Sequence, residues 1–147
     1  MARLVVPPTS PTGLRDNTPR GILTTMTLRN LTLADFLETV SAPGITFVDF
    51  WAPWCPPCRA FGPVFEKAAK AHPDYTFAKV NTEDEQELAG RLGITSIPTI
   101  MAFRDGVLVF GQPGALSATA FGELIKAVAE LDMDEVKAQA TEVSAAR

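Results

Sequence analysis

Cysteine and histidine are nearly absent from this chain: 147 residues include two Cys and one His. Two thiols cannot form the disulfide framework that holds small secreted domains together, and such sparse use fits a reducing compartment, the cytoplasm. Zinc needs four ligands, and Cys55 and Cys58 have only His72 to add to them, which leaves only a site shared between two chains, for which nothing speaks; no metal site is expected. Long apolar runs are missing as well. The stretch GITFVDFWAPW is broken by Asp49 and falls short of the roughly 20 residues that cross a bilayer, so no membrane span is expected. MARLVVPP offers three apolar residues before two prolines, where an export signal needs a run of about 7–15. Basic clusters are lacking too: 13 Lys and Arg against 17 Asp and Glu give a formal charge of -4, with no patch suited to nucleic acid or anionic lipid.

What is present is the composition of one ordinary domain, 46% hydrophobic and 20% charged. Residues 1–25 hold four prolines with several Thr and Ser and no sustained period, which predicts a flexible extension. Met26 looks like the start of the folded module and is a candidate alternative translation start. From Thr32 the helix signals are explicit: Thr32 as N-cap, Asp35 in the capping-box position, Leu31 and Phe36 as a hydrophobic staple, and Leu33, Phe36, Leu37 and Val40 on one face. Pro43 and Gly44 end that helix. ITFVDF reads as a central strand covered on both faces, which makes Asp49 within it an anomaly.

A helix is expected after Pro57 through RAFGPVFEKAAKA, kinked at Pro63. YTFAKV is the next strand, and NTEDEQELAGRLG reads as a short helix capped by Asn81 or Thr82 and ended by Gly93. PTIMAF and VLVF flank Asp105-Gly106, a hairpin signal. Ser117 caps a helix bearing Phe121, Leu124, Ile125 and Val128, and residues 132–147 are expected to extend it as a fraying tail. The order β-α-β-α-β-α-β-β-α implies an α/β fold, a mixed sheet with helices on both faces.

The cysteines stand in WCPPC. A disulfide across two intervening residues closes almost no loop, so it is a poor structural clasp. As a reactive pair it has a mechanism. With Pro57 in the first helical turn, Cys55 lies just ahead of the helix, where its sulfur can receive the N–H groups of Cys58 and Arg59 and feel the positive end of the helix dipole. A typical thiol pKa of ~8.5 falls towards ~7 in such motifs, making Cys55 the attacking thiol. Cys58, one turn on, is placed to attack the resulting mixed disulfide. Asp49, a carboxylate that burial keeps from ionising easily, is a candidate base for the Cys58 proton; alternatively it only satisfies backbone or Lys79 groups.

Together FVDFWAPWCPPC, AKVNTE, GITSIPTIMAFRDG and PGALS resemble the thioredoxin family, over about residues 26–131. The resemblance implies the thioredoxin fold and a protein disulfide reductase that binds no cofactor and draws electrons from NADPH through thioredoxin reductase. It implies Cys55 as nucleophile, Cys58 as resolver, Asp49 as the buried carboxylate with Lys79 as its neighbour, and Pro98 as a cis-proline beside the cysteines. Ile97 would pair through its backbone with an extended client segment. Trp54, Pro56, Pro57, Ile97, Pro98, Gly114 and Ala115 would then form the docking surface for disulfide-containing clients, on a protein expected to be monomeric. Phe61, Pro63 and His72 are given no functional part.

One departure stands out: Pro56 follows Cys55 where the family usually has glycine. It deletes an N–H near the thiolate and, preceding another proline, is biased against the helical region. Two other readings use the same residues: an oxidase or isomerase of higher potential, and a non-catalytic docking protein that would keep its function without either thiol.

Overall fold

The computed structural model describes residues 28–145. The expected extension, residues 1–25, and the candidate start at Met26 lie outside the described residues. Five strands form one sheet, β1 (Leu28–Asn30), β2 (Ile45–Trp51), β3 (Thr76–Asn81), β4 (Thr99–Arg104) and β5 (Val107–Pro113), in the spatial order β1-β3-β2-β4-β5. β1 and β2 run parallel to β3, while β4 is antiparallel to both β2 and β5. The helices are α1 (Leu33–Ser41), α2 (Pro56–Ala71), α3 (Gln86–Arg91), α4 (Ala118–Ala129) and α5 (Met133–Ala145).

Period-two alternation along β2 divides the core. On one side Ile45 and Phe47 pack with Phe61 and Phe65 of α2, Phe77 of β3 and Phe121 and Ile125 of α4. The rings interlock, Phe47 on Phe77 at 5.3 Å and Phe61 on Phe121 at 5.3 Å between centroids, and each such pair adds about 0.5–1.5 kcal/mol to simple burial. On the other side Val48 and Phe50 pack with Phe36 and Val40 of α1 and Leu88 of α3. Both faces of the sheet are thus sealed, which is why β2 is apolar in nearly every position.

The local signals account for most boundaries. The Thr32 N–H donates to Asp35 Oδ1 at 2.7 Å, and Leu31 and Phe36 are buried in one cluster. The hairpin turn places Asp105 at φ 53° and Gly106 at φ 83°, the two left-handed residues a type I′ turn requires. Its Asp105 side chain accepts from Gly44 N–H at 2.9 Å, tying the hairpin to the loop before β2. Ser117 Oγ accepts from Ala120 N–H at 3.0 Å, capping α4.

Four expectations need correction. Leu37 is 71% exposed, and the inward position on α1 is taken by Thr39, whose hydroxyl is satisfied by donating to Asp35 O at 2.8 Å. α2 begins at Pro56 rather than after Pro57, and Pro63 lies inside it on its exposed side. α3 begins later than expected: Asn81 Oδ1 accepts from Glu83 N–H at 2.9 Å, so it closes the turn before the helix, whose N-cap is Glu85. The C-terminal segment is a separate helix, because α4 ends at Glu130 and Asp132 Oδ1 accepts from the N–H of Asp134 at 3.1 Å to start α5.

Candidate active site

The carboxyl end of β2 delivers Trp51, Ala52 and then Cys55 to the amino end of α2. Cys55 is the N-cap, and its Sγ accepts from Cys58 N–H at 3.2 Å. Arg59 N–H, expected at the sulfur, instead donates to Cys55 O at 3.0 Å, because the fifth residue from the cap is the first able to close a full α-helical turn. The prolines take the first two helical positions, where a missing N–H interrupts no helical bond. Pro56 is helical despite the bias against it, and its position is not one whose N–H an N-cap side chain ordinarily accepts.

Cys55 and Cys58 are joined in a disulfide, with their Cα atoms 5.2 Å apart. Burial does not separate the two: each is 3% exposed, in a small cluster with Ala52, against which Trp51 and Ile97 pack. Around them Trp54, Pro56, Pro57, Gly114 and Ala115 are exposed. The Ile97–Pro98 peptide bond is cis, and Ile97 O lies 3.9 Å from Cys55 Sγ. Gly114, at φ 110° in the left-handed region that favours glycine, donates its N–H to Pro98 O at 2.7 Å. The cis-proline segment and the Gly114 loop are thereby locked together beside the disulfide.

Asp49 is completely buried, and neither carboxylate oxygen accepts a hydrogen bond from a protein group. Desolvation raises its pKa to about 7 from 3.8, with the Lys79 charge pulling the other way. Lys79 is the register partner of Asp49 on the neighbouring parallel strand. Its ammonium does not close on the carboxylate; it stands 4.6 Å from the centroid of the Trp51 ring. Neither the backbone nor Lys79 hydrogen-bonds the Asp49 carboxylate, although the Lys79 charge acts on it.

Sequence reasoning missed Glu83, whose Oε2 accepts the Trp54 indole N–H at 2.7 Å. Nothing in the local pattern signals it, since the residue is one of several acidic groups between β3 and α3. His72 stacks on Tyr75, with centroids 5.4 Å apart, away from the cysteines. Among the described residues no group of three or more His, Cys, Asp and Glu is arranged to hold a metal, and no helix is long and apolar enough to cross a membrane.

Comparisons with known proteins point the same way. The family model described as Thioredoxin matches residues 27–127. A Streptomyces coelicolor protein assigned as a thioredoxin 2 is 50% identical over 115 residues, 78% of this chain and 86% of that protein. The thioredoxin of Rhodospirillum rubrum is 38% identical over 102 residues, 68% of this chain and 98% of its own length. Among solved structures, a mutant thioredoxin from Halobacterium salinarum NRC-1 superposes with a TM-score of 0.65 at 30% identity, covering 71% of this chain and 92% of that one.

Proposed function

The chain belongs to the thioredoxin family and is a thiol-disulfide oxidoreductase; from that premise we propose that it reduces the disulfides of protein clients through Cys55 and Cys58 in a fixed order. In the dithiol form the Cys55 thiolate attacks one sulfur of the client disulfide. A mixed disulfide forms, and the other client sulfur leaves as a thiolate that takes up a proton. Cys58 then gives its proton to Asp49 and attacks Cys55 Sγ, so that the Cys55–Cys58 disulfide forms and the second client thiolate departs to be protonated. Two electrons have passed to the client. The pair is restored to the dithiol by thioredoxin reductase, with NADPH as the ultimate donor.

The observation that carries this order is the 3.2 Å bond from Cys58 N–H to Cys55 Sγ at the start of α2, which favours negative charge on Cys55. Trp54, Pro56, Pro57, Ile97, Gly114 and Ala115 form the surface on which the client is held, and Pro98, expected on that surface, is fully buried and supports it from beneath. The protein works as a cytoplasmic monomer: a chain with two cysteines suits a reducing compartment, and a surface serving many clients must stay uncovered.

The test is reduction of an interchain disulfide in a model protein by the dithiol form. Cys55→Ser abolishes it, whereas Cys58→Ser accumulates the mixed disulfide through Cys55. Trapping through Cys58 instead would overturn the order. Equilibration with thiol buffers, followed by Trp fluorescence, gives the potential: a value near ~-270 mV supports a reductase, and one near ~-200 mV or above transfers the reading to an isomerase or oxidase.

A further inference from the structure

Asp49, Trp51 and Lys79 share one face of the sheet. Asp49 and Trp51 are two residues apart on β2, so alternation places their side chains on the same side, and Lys79 stands opposite Asp49 in the parallel ladder. An ammonium beside an unpaired buried carboxylate is expected to close on it, since Coulomb attraction strengthens as the dielectric falls. Here it does not. The Lys79 Nζ lies 4.6 Å from the Trp51 ring centroid, and both Asp49 oxygens are left without partners. A ring face carries the negative side of the aromatic quadrupole, and tryptophan is the strongest of the aromatic side chains in attracting cations.

We propose that Trp51 is a positioning residue: its ring holds the Lys79 ammonium off the Asp49 carboxyl, which is thereby kept available to take the Cys58 proton. The proposal rests on the reading of Asp49 as proton acceptor. No competing charge faces Asp49. Arg59, Glu66, Lys67 and Lys70 on α2 and Glu123 and Lys126 on α4 are all exposed, and β4 sets Ile100 opposite Asp49 on its other side. Lys79 is accordingly the charge that acts on the carboxyl, pulling its pKa down even from over the ring.

The experiment follows the Asp49 carboxyl directly, by carbon NMR of the full chain across the acid to mildly alkaline range, in W51L, W51F, K79M and the W51L/K79M double variant. With the ring removed, Lys79 closes on Asp49, and the titration midpoint falls by about 1–3 pH units, the range for a carboxyl gaining an opposite charge in close contact. W51F, with a weaker ring, shifts less in the same direction, and K79M shifts upward. In the K79M background W51L produces no fall. An unmoved or raised midpoint in W51L overturns the proposal, as does an equal fall without Lys79, which would mean that the ring acts by excluding water. Should W51L fail to fold, W51F with and without K79M decides by the same criteria. Release of the mixed disulfide is timed alongside: a carboxyl that moves as expected while the pH profile of release stays put supports the hold on Lys79 and overturns the role of Asp49 as base.

Discussion

Trp54, 61% exposed beside the disulfide, is not a loose side chain: its indole N–H donates to Glu83 Oε2 at 2.7 Å, across 29 residues of sequence. On the proposed client surface, a flat aromatic already held in place loses less conformational entropy when a partner arrives. Glu83 is itself fixed at its backbone, where its N–H donates to Asn81 Oδ1 at 2.9 Å and its carbonyl accepts from Gln86 Nε2 at 3.1 Å.

Glu83→Ala is therefore expected to raise KM for a protein disulfide by severalfold while leaving reduction of a small aromatic disulfide unchanged. Stability should move by no more than about 0.5 kcal/mol, as for a surface substitution. Steady-state kinetics with both substrates provide the check, and equal loss on the two would point to the disulfide itself.

Asp49 makes stability depend on pH. Its folded pKa is raised, to about 7 from 3.8, so the folded state binds the proton more tightly than the unfolded chain. Stability is complete below the unfolded value and is lost as pH rises through the folded one, by an amount on the order of 4 kcal/mol. Asp49→Asn should flatten that dependence and stabilise the oxidised protein at about pH 8, with little change at about pH 4. Urea unfolding at the two pH values measures it; parallel pH profiles for the two proteins would show that Asp49 does not carry the effect.

Pro56 occupies the first helical position, and the Cys55 sulfur takes its hydrogen bond from Cys58 N–H. Pro56→Gly is expected to leave the titration of the Cys55 thiol in the reduced protein unchanged. The cost falls on stability, about 0.4–1 kcal/mol, because glycine frees the unfolded chain. Thiolate absorbance against pH, together with chemical unfolding, tests both halves.

Arg104 closes the far end of the molecule. Its Nη1 donates to the carbonyls of Val128 at 2.9 Å, Ala129 at 3.0 Å and Leu131 at 3.1 Å, placing a cation at the negative end of α4. Arg104→Met should destabilise the fold by about 0.5–1.5 kcal/mol, the net range for an ordinary hydrogen bond at these half-buried carbonyls, with Arg104→Lys recovering part of it. The midpoint of urea unfolding reports the change, and the reduction potential should stay as it was.

Much of the site is legible in short stretches. Cys-Pro-Pro-Cys at the head of a helix places one sulfur over a helical N–H, and Thr32, Ser117 and Asp105-Gly106 mark their caps and turn, because those interactions span four residues or fewer. An acidic residue inside ITFVDF announces a buried carboxylate for the same local reason: the strand is apolar on both faces.

What the chain alone determined is therefore the alternation of helices and strands from α1 to α4, the reactive pair and the burial of Asp49. Only the tertiary structure decided which side of α1 faces inward, with Thr39 in and Leu37 out, because the packing of a helix on a sheet selects a face that periodicity leaves ambiguous. It also decided that Lys79 lies over Trp51 and that Glu83 holds Trp54. Those pairings join residues far apart in sequence, and a side chain chooses among competing partners only once the sheet has brought them within reach.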